Sequence, residues 1–198
     1  MSKIKSALEL ALERTADIKT DKDALQKEEL VKNGKITAGK YLSDPKSISL
    51  SEKINEYKGM EKEIIKDALL ETLLANIVLP RYENDINKVK IISDALLQIS
   101  EKGKSEKKNL EYLMNQFADL FKQYLENFSH LEEELKKQWE PRLRQKEQQL
   151  RQQTGQEINM TPEQDPEFVQ ILNEQLKRLE DQYAGVIKQG KDQIKQLV

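Results

Sequence analysis

The sequence predicts an all-α protein: an elongated antiparallel helical bundle, or coiled-coil hairpin, with short N-terminal helices. Three observations predict it. Charged residues make up 34% of the 198 residues, with only 7 Gly and 5 Pro to break helices. Hydrophobic residues make up 37%, below the roughly 45–50% usual for globular chains, so the core is expected as narrow stripes between helices. Most directly, Leu110, Met114, Phe117, Phe121, Tyr124, Phe128, Leu131 and Leu135 follow one another at spacings of 4, 3, 4, 3, 4, 3 and 4, a heptad seam.

Taken in order, Ile4, Leu8, Ala11 and Leu12 predict a short amphipathic helix over residues 3–15, with Ser2 as its cap. Thr15 to Asp21 reads as a connection. A second helix is expected from Asp21 or Asp23 toward Leu42, with Leu30, Gly34, Ala38 and Tyr41 on one face. Gly34 has two readings, a helix stop after Asn33 or a small residue that admits a close neighbour. The Asp44-Pro45 pair ends this region, because the residue before proline avoids the helical conformation. Residues 1–48 are therefore expected to pack on a bundle formed by residues 49–198.

From Ser51 a long helix is expected through Leu79. Its second half, IIKDALLETLLANIVL, has 11 apolar residues in 16 and calls for cover on several sides, which the N-terminal helices would supply. At Pro80 the helix must kink or restart. Tyr82, Ile86, Val89, Ile92, Leu96 and Ile99 continue the apolar stripe to a turn at Gly103. The expected arm from Ser51 to Ile99 then pairs antiparallel with a helix from about Ser105 to Arg151. Beyond Leu135 only Trp139, Leu143 and Leu150 remain apolar in the seam, so the bundle thins toward a polar, projecting tip near 138–163. Asp165-Pro166-Glu167 starts the returning helix, whose seam is read as Leu172, Leu176, Leu179, Tyr183, Val186 and Ile194, with Gly190 as a gap.

Chemistry-bearing patterns are scarce. His130 stands alone with Glu126, Glu133 and Glu134 nearby, but a bundle metal site needs Glu-x-x-His on two helices and Asn127 occupies the Glu position; a solvated acidic face is the expectation. Asp67 and Glu71 are expected on the polar face of their helix. No nucleophile elbow, phosphate loop, dinucleotide fingerprint or zinc-protease pattern occurs, and no cysteine is present, so no enzyme activity, metal or cofactor is expected. The formal charge of −2 supplies no general field for nucleic acid or an anionic membrane.

One local field exists. Lys136, Lys137, Arg142, Arg144, Lys146 and Arg151 outnumber Glu140 and Glu147, with Trp139 as the one large aromatic. Single-strand binders present several stacking aromatics, whereas Trp and Arg are preferred protein-interface anchors. Trp139, Arg142, Arg144 and Arg151 are therefore the candidate contacts for a protein partner, with Trp139 equally readable as core. No apolar run is long and uncharged enough to span a bilayer, and Glu9 and Glu13 interrupt any secretory signal.

The segments SALELALERTADIKTDK and TLLANIVLPR resemble an uncharacterised family of bacterial all-helical proteins. The resemblance implies a bacterial, cytoplasmic protein and carries no activity or functional residue. By elimination, the expected function is that of a non-enzymatic interaction or scaffold protein acting through the coiled-coil arms or the tip, with self-association where seams stay open. The alternatives are nucleic-acid association through residues 136–153 and a membrane- or partner-docking adaptor using the N-terminal helix.

Overall fold

The computed structural model describes residues 7–157 and 159–198, with side chains from Asp23 onward. These residues form six α-helices and two short 3-10 turns, and no strand occurs among them. The all-α class is as the sequence predicts. The helices are α1 (Ala7–Ser43), α2 (Leu50–Asn55), α3 (Met60–Ala75), α4 (Asn87–Ile99), α5 (Lys104–Thr154) and α6 (Pro166–Leu197). They group into two compact units. The first takes the described residues through Asn76 with Ile91–Gly103 and Val198; the second takes Ile77–Lys90 and Lys104–Leu197.

In the first unit the expected short N-terminal helices are one. α1 runs 37 residues, straight through the connection expected at Thr15 to Asp21, while residues 3–6 of the predicted first helix and its expected cap Ser2 lie outside the described residues. Thr15 to Asp21 holds no Gly or Pro, so its polarity was no barrier to a helix. Leu30, Gly34, Ala38 and Tyr41 are all buried, the face that the spacing predicts. They lie along α3, whose Ile65, Ala68, Leu69, Leu73 and Leu74 are buried in turn.

Gly34 takes the second of its two readings. A Cβ placed on it would stand 2.7 Å from the Ala68 Cβ and 3.1 Å from the Ile65 carbonyl oxygen, so its missing side chain sets how closely α1 and α3 approach. Gln98 closes the unit from α4: its amide oxygen accepts from the Leu50 N–H at 3.0 Å and its amide nitrogen donates to the Tyr41 hydroxyl at 2.9 Å.

The helix expected from Ser51 to Leu79 is broken twice. Ser49 caps the short α2, accepting from the Glu52 N–H, and the chain then turns at Gly59, whose φ of 56° favours glycine. α3 ends at Ala75, with Asn76 closing its last turn, four residues before Pro80. Pro80 thus neither kinks nor continues a helix; it lies in a non-helical segment over 77–82. Tyr82, expected in the buried stripe, is exposed, whereas Val89, Ile92, Leu96 and Ile99 are buried as predicted. Asp85 restarts the chain by accepting from the Arg81 and Tyr82 N–H groups at 3.1 and 3.2 Å, in a 3-10 turn that leads into α4.

In the second unit α5 pairs antiparallel with α6, the returning helix, and also meets the 3-10 turn at Glu83–Ile86. Trp139 meets Phe168, Tyr124 meets Tyr183, and Phe117 meets Gly190, so facing positions move in equal and opposite steps along the two helices. Leu110 through Tyr124 of the seam are buried, and Phe128, Leu131 and Leu135 are half-buried. On α6 the buried positions are Phe168, Tyr183, Ile187, Gly190 and Ile194; Val186, expected in the seam, is half exposed because the 4-residue step to Ile187 follows the helix better than the 3-residue step to Val186.

Gly34→Ala is expected to destabilise the protein by roughly 1–3 kcal/mol through overpacking against Ala68. Gly39→Ala, where an added Cβ meets nothing within 4 Å, should stabilise it by about 0.5–1 kcal/mol. Urea unfolding of the two variants against the parent checks both signs.

Candidate functional site at the hairpin tip

The four residues predicted as partner contacts all lie on the last turns of α5. This helix runs through Pro141 and ends at Thr154, where Gly155 takes a φ of 71° and its N–H donates to the Arg151 carbonyl at 2.9 Å. Trp139 is buried in a small core with Leu143 and Phe168, flanked by Leu135, Met160, Ile171 and Leu172. Of its two readings the core one is realised. The Trp139 and Phe168 rings meet edge to face at 5.7 Å between centroids.

The polar edge of the indole is held by Asp165. The Trp139 Nε1–H donates to Asp165 Oδ2 at 3.0 Å, and the Lys146 Nζ donates to the same oxygen at 2.6 Å. The other oxygen, Oδ1, accepts from the Glu167 N–H at 3.1 Å, so this one carboxylate also caps α6. Asp165 is 2% exposed. The Lys146 ammonium, then the indole N–H, hold its carboxyl below the usual aspartate range, and the Lys146 ammonium is in turn raised above the usual lysine range. The sequence suggested Asp165 as a cap and counted Lys146 only as charge. Their meeting on Trp139 joins positions far apart in the chain, a juxtaposition that helical spacing alone does not reveal.

The three arginines are on the surface and each has an acidic neighbour. Arg142 stacks over the Trp139 ring, 4.6 Å from its centroid, and reaches Glu167 at 3.4 Å. Arg144 pairs with Glu140 at 3.3 Å and Arg151 with Glu157 at 3.1 Å. Lys136 donates to both Glu132 and Glu163 at 2.8 Å, which raises its ammonium and holds the Glu163 carboxyl down to about 2. The local basic excess of the sequence is thus met by acids from the same helix, from the connection and from the start of α6. A shallow polar surface remains, bordered by Arg144, Glu147, Gln148, Arg151, Glu157 and Asn159.

His130 is exposed, and among the described residues no group of three or more His, Asp or Glu side chains is placed to hold a metal ion. Nor is any described helix long and apolar enough to cross a membrane. Asp67 and Glu71 are exposed on α3, the polar-face reading.

A family profile, "Family of unknown function (DUF6657)", matches residues 51–196. The chain belongs to this family. The match agrees with the resemblance read from the sequence to an uncharacterised family; it includes the TLLANIVLPR segment, whereas SALELALERTADIKTDK precedes it. No curated protein and no solved structure matches the chain.

Asp165→Ala removes the α6 cap and leaves the buried indole N–H without an acceptor. It is expected to cost roughly 2–4 kcal/mol, with Asp165→Asn costing less because an acceptor for the indole remains. Trp139 is the sole tryptophan, so its fluorescence during urea unfolding reads this site directly.

The tip also has a definite pH response. Glu163 and Asp165 have depressed pKa values in the fold, so their contributions are complete above the ordinary carboxylate range and are lost as pH falls, for Glu163 between 4.5 and about 2. Lys136 and Lys146 are raised, so their contributions hold below the ordinary 10.5 and are lost above it. Trp139 fluorescence at fixed urea should therefore be flat at neutral pH and report loosening below 4.5, with a smaller acid response in Lys136→Met.

Proposed function

We propose that the protein is a non-enzymatic interaction or scaffold protein that presents the tip of the α5–α6 hairpin, a coiled-coil arm, to a protein partner. The observation that carries this reading is the Trp139–Asp165–Lys146 lock, in which a buried indole and a buried carboxylate are joined by a half-buried lysine. It fixes the end of the hairpin from inside and leaves Arg142, Arg144 and Arg151 outside on a preorganised surface. Preorganisation lowers the ordering cost of association, which is what a contact surface made largely of long side chains requires. Arg142, stacked on the indole, is the most constrained of the three and the best placed to act as an anchor.

A partner whose charges alternate fits this surface better than a polyanion does. Each basic side chain of the lock and its rim already faces a carboxylate, which weakens any attraction for a row of phosphates. The half-exposed Val186, beside Leu113 and Leu120, gives self-association along the arm a second apolar contact. A cytoplasmic setting in a bacterium belongs to the same proposal. It is supported by the absence of cysteine from the sequence and by the resemblance noted above.

The test is affinity capture from the source cells with the full chain, with the double variant Arg144→Glu/Arg151→Glu, and with Lys107→Glu as a control away from the tip. At least one protein should be retained by the parent and the control and be reduced about tenfold with the double variant. Nuclease treatment should leave that capture unchanged. Identical capture by all three chains, or capture abolished by nuclease, overturns the reading.

A further inference from the structure

The second unit holds a groove that the tip does not use. The non-helical segment from Ile77 to Arg81 lies beside α6, and between them is an open space of about 620 Å³. Ile77, Leu79, Pro80 and Ile187 give it an apolar lining, with Ile77, Pro80 and Ile187 buried. Its size falls within the roughly 300–1,000 Å³ of small-molecule sites.

The charge in this groove differs from that at the tip. Its lining holds Arg81, Lys188 and Lys191 against one acid, Glu180, a formal excess of +2 in a chain whose net charge is −2. None of these three side-chain cations forms an ion pair or hydrogen bond among the described residues, whereas those of Arg142, Arg144, Lys146 and Arg151 all do. Lys191 is half-buried, and burial alone holds its ammonium below the ordinary lysine range. A desolvated cation without a counter-charge is costly, and an anion would relieve it.

Further donors point the same way. The Tyr124 hydroxyl has no partner among the described residues, yet no buried side-chain polar atom there lacks one, so the hydroxyl reaches the solvent of the groove. Burial raises its pKa, so at neutral pH it keeps its proton to donate. The backbone N–H groups of Ile77, Val78 and Leu79 likewise have no acceptor among the described residues.

We infer that the groove between residues 77–81 and α6 binds a small organic carboxylate with an apolar body. The carboxylate sits among Lys191, Lys188 and Arg81, with the Tyr124 hydroxyl as a neutral donor, and the apolar body lies on Ile77, Leu79, Pro80 and Ile187. This ligand site is independent of the tip.

Isothermal titration calorimetry on the full chain tests it with four probes. Decanoate carries both the charge and the apolar body, decanol only the body, and acetate and inorganic phosphate only the charge. Decanoate is expected to bind saturably, with the other three at least about tenfold weaker. Lys191→Met, which keeps the apolar stem, should weaken decanoate by about tenfold or more. Ala184→Trp, at an exposed α6 position on the groove wall, should block it, and Lys177→Met should leave it unchanged. Far-UV circular dichroism and the urea midpoint establish that each variant is folded. Absence of saturable decanoate binding, equal binding of decanol or of the small anions, or full decanoate binding by folded Lys191→Met and Ala184→Trp overturns the inference.

Discussion

The Asp165 carboxylate receives three donors from two helices. The Glu167 N–H belongs to α6, which Asp165 caps, while the Trp139 indole and the Lys146 ammonium come from α5. A buried carboxylate is tolerated only when donors surround it, so these bonds are made together or the site is unfavourable. That condition sets where α6 starts relative to α5. Once Trp139 is set against Phe168, the antiparallel helices bring Tyr124 to Tyr183 and Phe117 to Gly190, and Asn127 reaches the Tyr183 hydroxyl at 2.7 Å. Apolar stripes alone tolerate sliding by a turn; a directional polar contact at one end does not.

Gly190 shows how exacting that register is. A Cβ there would stand 2.4 Å from the Phe117 Cζ, so the ring occupies the place where a side chain would be. Gly34 does the same for Ala68 in the other unit. In both units a glycine within a helix loses some intrinsic helix stability, and closer packing with a neighbour offsets that loss. A slip by one turn would bring Ile187 or Ile194 against Phe117 and open a void at Gly190, which makes the two long helices specific for one alignment.

The parts of this fold that were legible in the sequence are those with a period. The seam from Leu110 to Tyr124 and the α1 face from Leu30 to Tyr41 could be read residue by residue, because helical spacing maps directly onto one side of a helix. The breaks between Ser51 and Ile99 were less visible. Apolar residues continue on either side of Gly59 and up to Leu79, so composition gave no sign that α3 would end at Ala75; the ending depends on Asn76 and on the non-helical course into Pro80. The tip was half legible. Trp139 and the arginines could be named from their types, but the acids that meet them, Asp165, Glu167 and Glu157, lie across a turn whose geometry is not encoded in spacing.

The contrast between paired and unpaired cations follows from that same broken helix. Had residues 60–79 continued as one helix, Ile77 and Leu79 would point to different sides of a cylinder and their N–H groups would bond within it. Leaving the helix at Ala75 frees the backbone of residues 77–79 and lets Ile77 and Pro80 be buried while Arg81 remains exposed at the edge of the groove. On the facing helix, Lys188 and Lys191 are three residues apart and share a side, one turn from each other. Two cations on one turn repel, and at the tip such repulsion is met by acids from the connection and from α6. Glu180 is the sole acid of the groove lining, too few to balance Arg81, Lys188 and Lys191 together. A positive groove with an apolar lining is therefore a product of where α3 stops, and its chemistry is that of a receptor for an anion.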